Sequence, residues 1–211
     1  MSESSNARDF ETPEKSFREV KKKRGEIQVI YGPMFSGKST ELLRRIRRFK
    51  VRNDSCLLLK TKDNRYIGDD DKVVTHDQFN FLKALSCDTL SERLEEAKQY
   101  DVIGIDEAQF FTDIIQFSEL MANLGKIIII ACLDSDFRRE PFGNICQLIA
   151  KAEKVIKLTS ICHYCKEDAS FSARLTAETA IKVIGGRDKY RPVCRTCYAD
   201  IVIQNEDNLA R

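Results

Sequence analysis

Apolar residues along this chain fall into short continuous runs, separated by stretches in which they recur at helical spacing. The runs predict strands at EIQVIY (26–31), SCLLLK (55–60), DVIGID (101–106), KIIIIACL (126–133) and KVIKLT (154–159). The runs lack the polar alternation of strands that expose one face to water. Such strands, separated by helices, predict an α/β fold: a mainly parallel sheet with helices on both faces.

The intervening segments carry helix signals. The segment KSTELLRRIRRFK places four apolar residues on one helical face, opposite its arginines: Leu42, Leu43, Ile46 and Phe49. Thr89 followed by Glu92 has capping-box spacing, which predicts a helix start. Thr112 is expected to cap the helix DIIQFSELMANL, and Gly125 follows the end of that helix.

Charge and hydropathy exclude several classes of protein. The chain has 35 Lys and Arg against 33 Asp and Glu, so no broad basic surface for nucleic acid is expected. No apolar run reaches the roughly 18–20 residues that cross a bilayer. The start, MSESSNARDF, lacks the pattern of a secretory signal. We therefore expect a cytoplasmic protein without nucleic-acid or membrane partners, whose eight cysteines stay reduced or bind metal.

The segment YGPMFSGKST matches the phosphate-binding motif G-x-x-x-x-G-K-[ST] at every fixed position, between a predicted strand and a predicted helix. The two glycines permit backbone torsions that let amide groups converge on phosphates. Lys38 supplies a cation, and the Ser39 hydroxyl can coordinate Mg²⁺. ATP is expected to bind along the phosphate loop, which comprises Gly32, Pro33, Met34, Phe35, Ser36, Gly37, Lys38 and Ser39.

Asp106 and Glu107 stand at the end of the strand DVIGID. In P-loop proteins an aspartate at this position helps to hold Mg²⁺. Side chains alternate along a strand, so Glu107 is expected to point elsewhere and to accept a proton from the attacking nucleophile. Two solvated acids at an ordinary strand end are the plain alternative. The pair does not distinguish an ATPase, in which water attacks, from a kinase, in which a substrate hydroxyl attacks.

Two C-x-x-C pairs lie in the last quarter of the chain. Two such knuckles complete a tetrahedral S₄ site, which predicts a structural zinc held by Cys162, Cys165, Cys194 and Cys197. Four thiolates leave no open position for substrate, so the ion is expected to perform no chemistry. Disulfides are disfavoured because no export signal is present. The remaining cysteines are expected to be buried thiols: Cys56, Cys87, Cys132 and Cys146.

Together these segments resemble the thymidine kinases shared by animal cells, many bacteria and poxviruses. The resemblance runs from Gly25 to about Tyr198 through GPMFSGKSTELLRR, KDNRY, THD, VIGIDEAQFF, CLDSDFRREPFG, KLTSICHYC, VIGGRDKY and VCRTCY. It implies Mg²⁺-dependent transfer of the ATP γ-phosphate to the 5′-hydroxyl of thymidine, and also of deoxyuridine. The product dTMP would serve nucleoside salvage for DNA synthesis. The resemblance further implies a homotetramer that dTTP inhibits at the active site.

The resemblance also implies roles for single residues. Glu107 would be the catalytic base, and Ser39 with Asp106 would serve Mg²⁺. Further ATP contacts would come from Asp63, Asn64, Arg65, Asp106, Glu107, Ala108 and Gln109. The nucleoside would contact Met34, Phe110, Leu133, Phe137, Phe142, Ser172, Ile181, Lys182, Val183, Ile184, Gly185 and Tyr190. Without the resemblance, the aromatic residues of this set would be interpreted as core.

The implied organisation is a RecA-like P-loop domain over 25–158 and a small zinc-bearing lasso domain over 159–198 that closes over the nucleoside. Residues 1–24 are expected to form a flexible tail, and 199–211 a second tail. Three positions depart from the family pattern: Ala108 where Gly is common, Ser172 where Thr is common, and Ile181 at a Val-like position. We expect these changes to alter affinity at most.

Two other functions fit the phosphate loop and the cysteines. One is a RecA-like ATPase whose zinc knuckles bind nucleic acid. The mixed charges of residues 166–193 disfavour it, since such a module needs a basic or aromatic-interleaved stripe. The other is a zinc-stabilised nucleotide sensor without turnover, which needs no carboxylate base. Glu107 counts against the sensor.

Overall fold

The computed structural model describes residues 24–62, 72–73, 82–176 and 178–201, with only the backbone of 72–73 and 82–83. Residues 1–23 and 202–211, which make up most of the tails predicted at 1–24 and 199–211, lie outside the described residues, as do Asp63, Asn64 and Arg65. In chain order the elements are β1 Glu26–Tyr31, α1 Lys38–Val51, β2 Cys56–Thr61, β3 Lys72–Val73, β4 Leu82–Lys83, β5 Leu85–Cys87, a 3-10 turn Leu90–Arg93, α2 Leu94–Ala97, β6 Val102–Ile105, a 3-10 turn Ala108–Phe110, α3 Ile114–Asn123, β7 Ile127–Cys132, α4 Ile145–Ile149, β8 Lys154–Lys157, β9 Ser160–Ile161, β10 Asp168–Ala169, β11 Phe171–Arg174 and β12 Tyr190–Val193.

Six strands form one parallel sheet in the order β5-β2-β6-β7-β1-β8, which confirms the predicted α/β fold. β1 and β7 end side by side, because Tyr31 pairs with Cys132, and β6 ends beside β7, where Ile105 pairs with Ile130. The segments that follow these three strands therefore leave the sheet at the same edge. In open parallel sheets this edge, at the carboxyl ends of the strands, is where ligands bind.

Hydrophobic clusters cover both faces of the sheet. On one face α1 buries Leu42, Leu43 and Ile46 against the strands. The close approach depends on Gly104, because a Cβ there would lie 2.4 Å from Cδ1 of Ile46. On the other face the largest core cluster includes residues of α3, α4 and the turn at 90–93. In the described part of the chain no helix is long and apolar enough to span a membrane.

The cysteine-bearing segment forms two small antiparallel ladders, β9 with β10 and β11 with β12. A small hydrophobic cluster joins these ladders to the cysteine pairs. Its buried members are Cys162, Ala169, Ala173, Val193 and Tyr198. The segment also contacts the phosphate loop directly, since the Ser160 hydroxyl donates to the carbonyl of Phe35 over 3.1 Å. This contact places β9 beside the proposed nucleotide site.

Two sequence expectations are wrong at the level of single residues. The N-cap of α3 is Asp113, not Thr112. Both residue types favour caps, so their sequence alone did not separate them. The Asp113 carboxylate instead accepts hydrogen bonds from the backbone N–H groups of Leu90 and Ser91. Cys146 is exposed on α4, not buried.

The other spare cysteines follow the prediction to different degrees. Cys87 and Cys132 are buried, whereas Cys56 is half-buried. The helix predicted after Thr89 begins as a 3-10 turn and continues as the short helix α2. Its capping box is present, with the backbone N–H of Thr89 donating to the Glu92 carboxylate over 3.3 Å.

Candidate active site

The phosphate loop joins β1 to α1 and takes its shape from two glycines. Gly32 has φ 148°, and a Cβ there would lie 2.2 Å from the carbonyl oxygen of Leu158. Gly37 has φ 81° and caps the start of α1. The Lys38 ammonium reaches back across the loop and donates to the carbonyl of Pro33 over 2.6 Å. A lysine folded over a glycine-rich loop at a helix start is the arrangement that binds phosphates.

Ser39 and Asp106 come together beside the phosphate loop. The Ser39 hydroxyl donates to Oδ1 of Asp106 over 3.0 Å. Burial raises the pKa of the Asp106 carboxyl above its usual range, and the charge of Glu107 raises it further, against the hydrogen bond from Ser39. A buried carboxylate beside a hydroxyl is a donor set that suits Mg²⁺, because a cation relieves the cost of the buried charge. The residues present therefore fit a magnesium ion.

Glu107 is oriented by the turn that it begins, and not by strand alternation as expected. β6 ends at Ile105, and Glu107 adopts a left-handed conformation with φ 54° and ψ 41°. Its Oε2 accepts a hydrogen bond of 2.6 Å from Nε2 of Gln109, while Oε1 of Gln109 accepts one from the backbone N–H of Leu133 over 3.0 Å. The buried Gln109 thus fixes the Glu107 carboxylate relative to the end of β7. Ala108 between them is fully buried.

Ten of the twelve residues predicted to contact a nucleoside line one cavity. They come from the phosphate loop, the segments after β6 and β7, β11, the loop 175–189 and β12. The ten are Met34, Phe110, Leu133, Phe137, Phe142, Ser172, Ile181, Lys182, Val183 and Tyr190. The rings of Phe110 and Phe142 meet edge to face at 5.5 Å. The cavity volume is only about 30 Å³, so a nucleoside requires its walls to move apart.

We call residues 175–189, between β11 and β12, the nucleoside loop. Ile184 and Gly185, which were also predicted to contact the nucleoside, lie in this loop but not in the cavity lining, and Ile184 is exposed. The Lys182 ammonium lies 4.8 Å from the ring centroid of Phe110. The loop therefore rests on the aromatic wall of the cavity.

Three lining residues were missed by the sequence reasoning: Ser135, Asp136 and Arg174. Asp136 is buried and accepts hydrogen bonds from the backbone N–H groups of Arg138 and Glu140, so it shapes the segment after β7. A charged residue inside the segment CLDSDFRREPFG is a weak signal by itself, because most such residues are solvated. Only the fold brings the three residues to the cavity.

The four knuckle cysteines form a single cluster. Their Sγ atoms all lie within 4.8 Å of one another, and those of Cys165 and Cys194 are 3.6 Å apart. A tetrahedral zinc with Zn–S bonds of about 2.3 Å separates its sulfurs by roughly 3.8 Å. The cluster therefore has the donors and the spacing to hold zinc. It comprises Cys162, Cys165, Cys194 and Cys197, as predicted.

The thiols of this cluster share negative charge unequally. For Cys162 burial opposes ionisation, but hydrogen bonds from the backbone N–H groups of Cys165, Cys194 and Tyr164 lower the pKa to about 6. The pKa of Cys197 is raised to about 12, first by its hydrogen bond with Cys194 and then by burial. Ionisation of Cys162 is thus favoured, and ionisation of Cys197 is disfavoured. This is expected where a bound cation must compensate the charge of several thiolates.

The sequence model of the family described as "Thymidine kinase" matches residues 25–198. Thymidine kinase 1 of Dictyostelium discoideum is 53% identical over 187 residues, which cover 87% of this chain and 81% of that protein. The thymidine kinase of Variola virus is 53% identical over 177 residues, or 83% of this chain and 98% of that protein.

A solved structure, the flagellar accessory protein FlaH from Methanocaldococcus jannaschii, superposes with a TM-score of 0.48 at 16% identity, covering 69% of this chain and 75% of FlaH. That likeness is too weak to bear on function. The family match covers most of the described chain, and the two kinase relatives are more than half identical over 81% and 98% of their lengths. The chain belongs to the thymidine kinase family.

Proposed function

We propose that this enzyme transfers the γ-phosphate of ATP to the 5′-hydroxyl of thymidine and so produces dTMP. The observation that carries the proposal is that one residue belongs to both binding regions. Met34 is part of the phosphate loop, and its side chain lines the nucleoside cavity. Because the two regions share a wall, an acceptor bound in the cavity would lie next to a triphosphate bound at the phosphate loop.

Residues of the phosphate loop would hold and polarise the triphosphate. Lys38 would exchange its intraloop bond to the carbonyl of Pro33 for the terminal phosphates. Ser39 and Asp106 would hold Mg²⁺. When bound, this ion neutralises charge that develops on the transferred phosphoryl group.

Glu107 would accept the proton of the 5′-hydroxyl as that oxygen attacks phosphorus. Glu107 directly follows Asp106 in the sequence. Its carboxylate accepts a hydrogen bond from Gln109, and the side-chain oxygen of Gln109 accepts one from the backbone N–H of the cavity residue Leu133. A general base must be fixed within hydrogen-bond reach of the proton that it removes. The bond to Gln109 supplies that fixation and orients the carboxylate before substrate binds.

The nucleoside loop would separate this kinase from an ATPase built on the same phosphate loop. Its closure against the cavity would exclude water and retain the deoxyribose hydroxyl as the nucleophile. Zinc at the four cysteines would be structural and would anchor the loop through β11 and β12. We extend the proposal to the remaining ATP contacts at Asp63, Asn64 and Arg65, to deoxyuridine as a second acceptor, and to dTTP as an inhibitor that occupies both regions.

We also propose a cytoplasmic homotetramer. Assembly is supported by the edge of the sheet at β8, whose Val155 and Ile156 are 43% and 37% exposed, beside Val51 of α1 at 84%. An edge strand with exposed apolar side chains is a surface that proteins usually cover. Size-exclusion chromatography with light scattering should give four chains per particle, whereas a stable monomer would contradict this part of the proposal.

An assay of phosphate transfer from labelled ATP across nucleosides tests the activity. We expect thymidine and deoxyuridine to yield labelled monophosphates, with little product from purine nucleosides. ATP hydrolysis that single-stranded DNA stimulates, and thymidine does not, would instead support the ATPase alternative. Nucleotide binding without turnover of any acceptor would support the sensor.

A further inference from the structure

Arg174 ends β11, where the chain enters the nucleoside loop, and its side chain is buried at 6% exposure. Its Nη1 donates to the carbonyls of Glu178 and Ala180, over 2.7 and 2.5 Å. Its Nη2 donates to the carbonyl of Ile181 over 3.0 Å and to the hydroxyl of Tyr190 over 2.8 Å. The guanidinium therefore binds three backbone carbonyls of the nucleoside loop.

The same guanidinium is stacked on the cavity wall. Its central carbon lies 3.7 Å from the ring centroid of Phe137. The Tyr190 hydroxyl, which accepts from Arg174, donates in turn to the carbonyl of Val183 over 2.9 Å. Directly or through Tyr190, Arg174 thus engages four carbonyls between residues 178 and 183, the stretch that includes Ile181, Lys182 and Val183 of the cavity.

This network connects to the cysteine cluster from its other side. The Tyr198 hydroxyl donates to the carbonyl of Phe137 over 2.9 Å, and Tyr198 immediately follows Cys197. The Phe137 backbone is thereby held by the knuckle, while its ring is held against Arg174. A continuous set of contacts runs from the knuckle to the nucleoside loop.

Burying a guanidinium is costly unless its donors are satisfied. In the described part of the chain Arg174 forms no salt bridge within 4 Å, and its hydrogen-bond partners are backbone carbonyls and a phenol. Its Nε has no hydrogen-bond partner, and the charge of the Glu178 carboxylate acts on the guanidinium without a direct contact. A planar fork of donors can bind several carbonyls at once, which the single ammonium of lysine cannot reproduce. The hydrogen bonds of this buried guanidinium therefore order the backbone of the nucleoside loop.

We propose that Arg174 is a positioning residue that holds residues 178–183 of the nucleoside loop and the ring of Phe137 together as one ordered wall, which moves as a unit when the cavity opens for the nucleoside. The proposal rests on the function inferred above. Arg174 does not act on the reacting atoms; it fixes the backbone of 178–183 and the ring of Phe137 relative to each other. Preordering a binding loop in this way removes ordering entropy from the binding step.

The first test measures the loop without any nucleoside. Trypsin can cut the nucleoside loop after Lys182, Arg187 and Lys189, and Arg174→Lys adds no new cleavage site. We expect cleavage in Arg174→Lys to be about tenfold faster than in the wild type. Lysine would lose about two of the hydrogen bonds that Arg174 makes to the loop, and this loss makes local opening of the loop about tenfold more frequent. Arg93→Lys is the matched control, because Arg93 bonds the Ser86 carbonyl from outside the cavity lining and should cleave like the wild type.

The second test measures steady-state kinetics with full-length protein. In Arg174→Lys the KM for thymidine should rise about tenfold while the KM for ATP stays within about twofold, because the phosphate loop is untouched. Equal cleavage rates and an unchanged KM for thymidine would overturn the proposal. If the wild type itself phosphorylated no thymidine, the proposed function would fail, but the cleavage result would still decide the role of Arg174.

A third variant covers the case in which Arg174→Lys does not fold, as judged by zinc content and thermal unfolding. Tyr190→Phe removes only the hydroxyl that links Arg174 to the carbonyl of Val183. We expect an intermediate increase in loop cleavage with the zinc content retained. Wild-type cleavage in this variant would then overturn the proposal.

Discussion

The Ser172 hydroxyl accepts a hydrogen bond of 2.9 Å from the backbone N–H of Met34, and both groups are buried. This bond joins β11, which leads into the nucleoside loop, to the phosphate loop 138 residues earlier in the chain. It is a direct connection between the two binding regions. Threonine at position 172 would retain the hydroxyl.

Ser172→Ala should therefore be destabilising. The substitution leaves a buried N–H without its acceptor, at a cost of about 1–3 kcal/mol. In a chain of this length we expect the thermal midpoint to fall by roughly 2–10 °C. Ser172→Thr is the control and should stay near the wild type. A midpoint that falls in the threonine variant and not in the alanine variant would contradict the role of this bond.

Much of the fold was predictable because local pattern and global packing agree. β1 was predicted residue for residue, since a continuous apolar run followed by a glycine loop permits few alternatives. Gly125 follows α3 with φ 82°, as expected of a residue just beyond a helix end. By contrast, the α3 cap depended on whether Thr112 or Asp113 adopts the cap conformation. The Asp113 carboxylate accepts hydrogen bonds from the backbone N–H groups of Leu90 and Ser91, a contact that the folded chain forms and that the local sequence does not indicate.

The candidate site was predictable to the extent that motifs define it. The phosphate loop and the cysteine cluster have fixed spacings, so their residues were named from the sequence. The orientation of Glu107 was not, because the strand ends two residues earlier and a left-handed turn replaces alternation. Arg174 has no motif at all. Its role depends on carbonyls that the nucleoside loop brings to it only in the folded chain.

Glu41 on α1 should make a pH-dependent contribution to stability. Its hydrogen bonds with Arg44, against the effect of burial, and those with Arg45 lower the pKa of the Glu41 carboxyl to about 2 from 4.5. Because the pKa is lowered in the folded protein, the stabilisation is present above pH 4.5 and is lost as pH falls through about 2. Since Arg44 is exposed, we expect Glu41→Gln to cost about 1 kcal/mol at pH 7.

Denaturant unfolding at several pH values checks this expectation. The difference between the wild type and Glu41→Gln should shrink as pH is lowered from about 5 toward 2. Glu95→Gln is the matched control, because Glu95 is 81% exposed in its pair with Lys98 and should change stability little at any pH. A Glu41→Gln difference that stays constant over this range would contradict the assignment.

The cysteine cluster should retain zinc through purification and lose it when one ligand is removed. Cys165→Ser leaves three thiols in the cluster and should copurify with substoichiometric zinc by plasma mass spectrometry. We expect its KM for thymidine to rise more than its KM for ATP, since the cluster packs with β11 and β12 and not with α1. Cys146→Ser, outside the cluster, should match the wild type. Full zinc occupancy in Cys165→Ser would contradict the site.

The proposed reaction depends most on Glu107, which would remove the proton of the acceptor hydroxyl beside the metal-bound triphosphate. Glutamine at this position keeps the shape and can still accept the hydrogen bond from Gln109, but it cannot take a proton. The most direct test is single-turnover phosphate transfer to thymidine by the wild type and Glu107→Gln, with thymidine affinity measured by calorimetry. We predict a rate lower by about 10²–10⁴-fold at nearly unchanged affinity. Equal transfer rates in the two proteins would contradict the account.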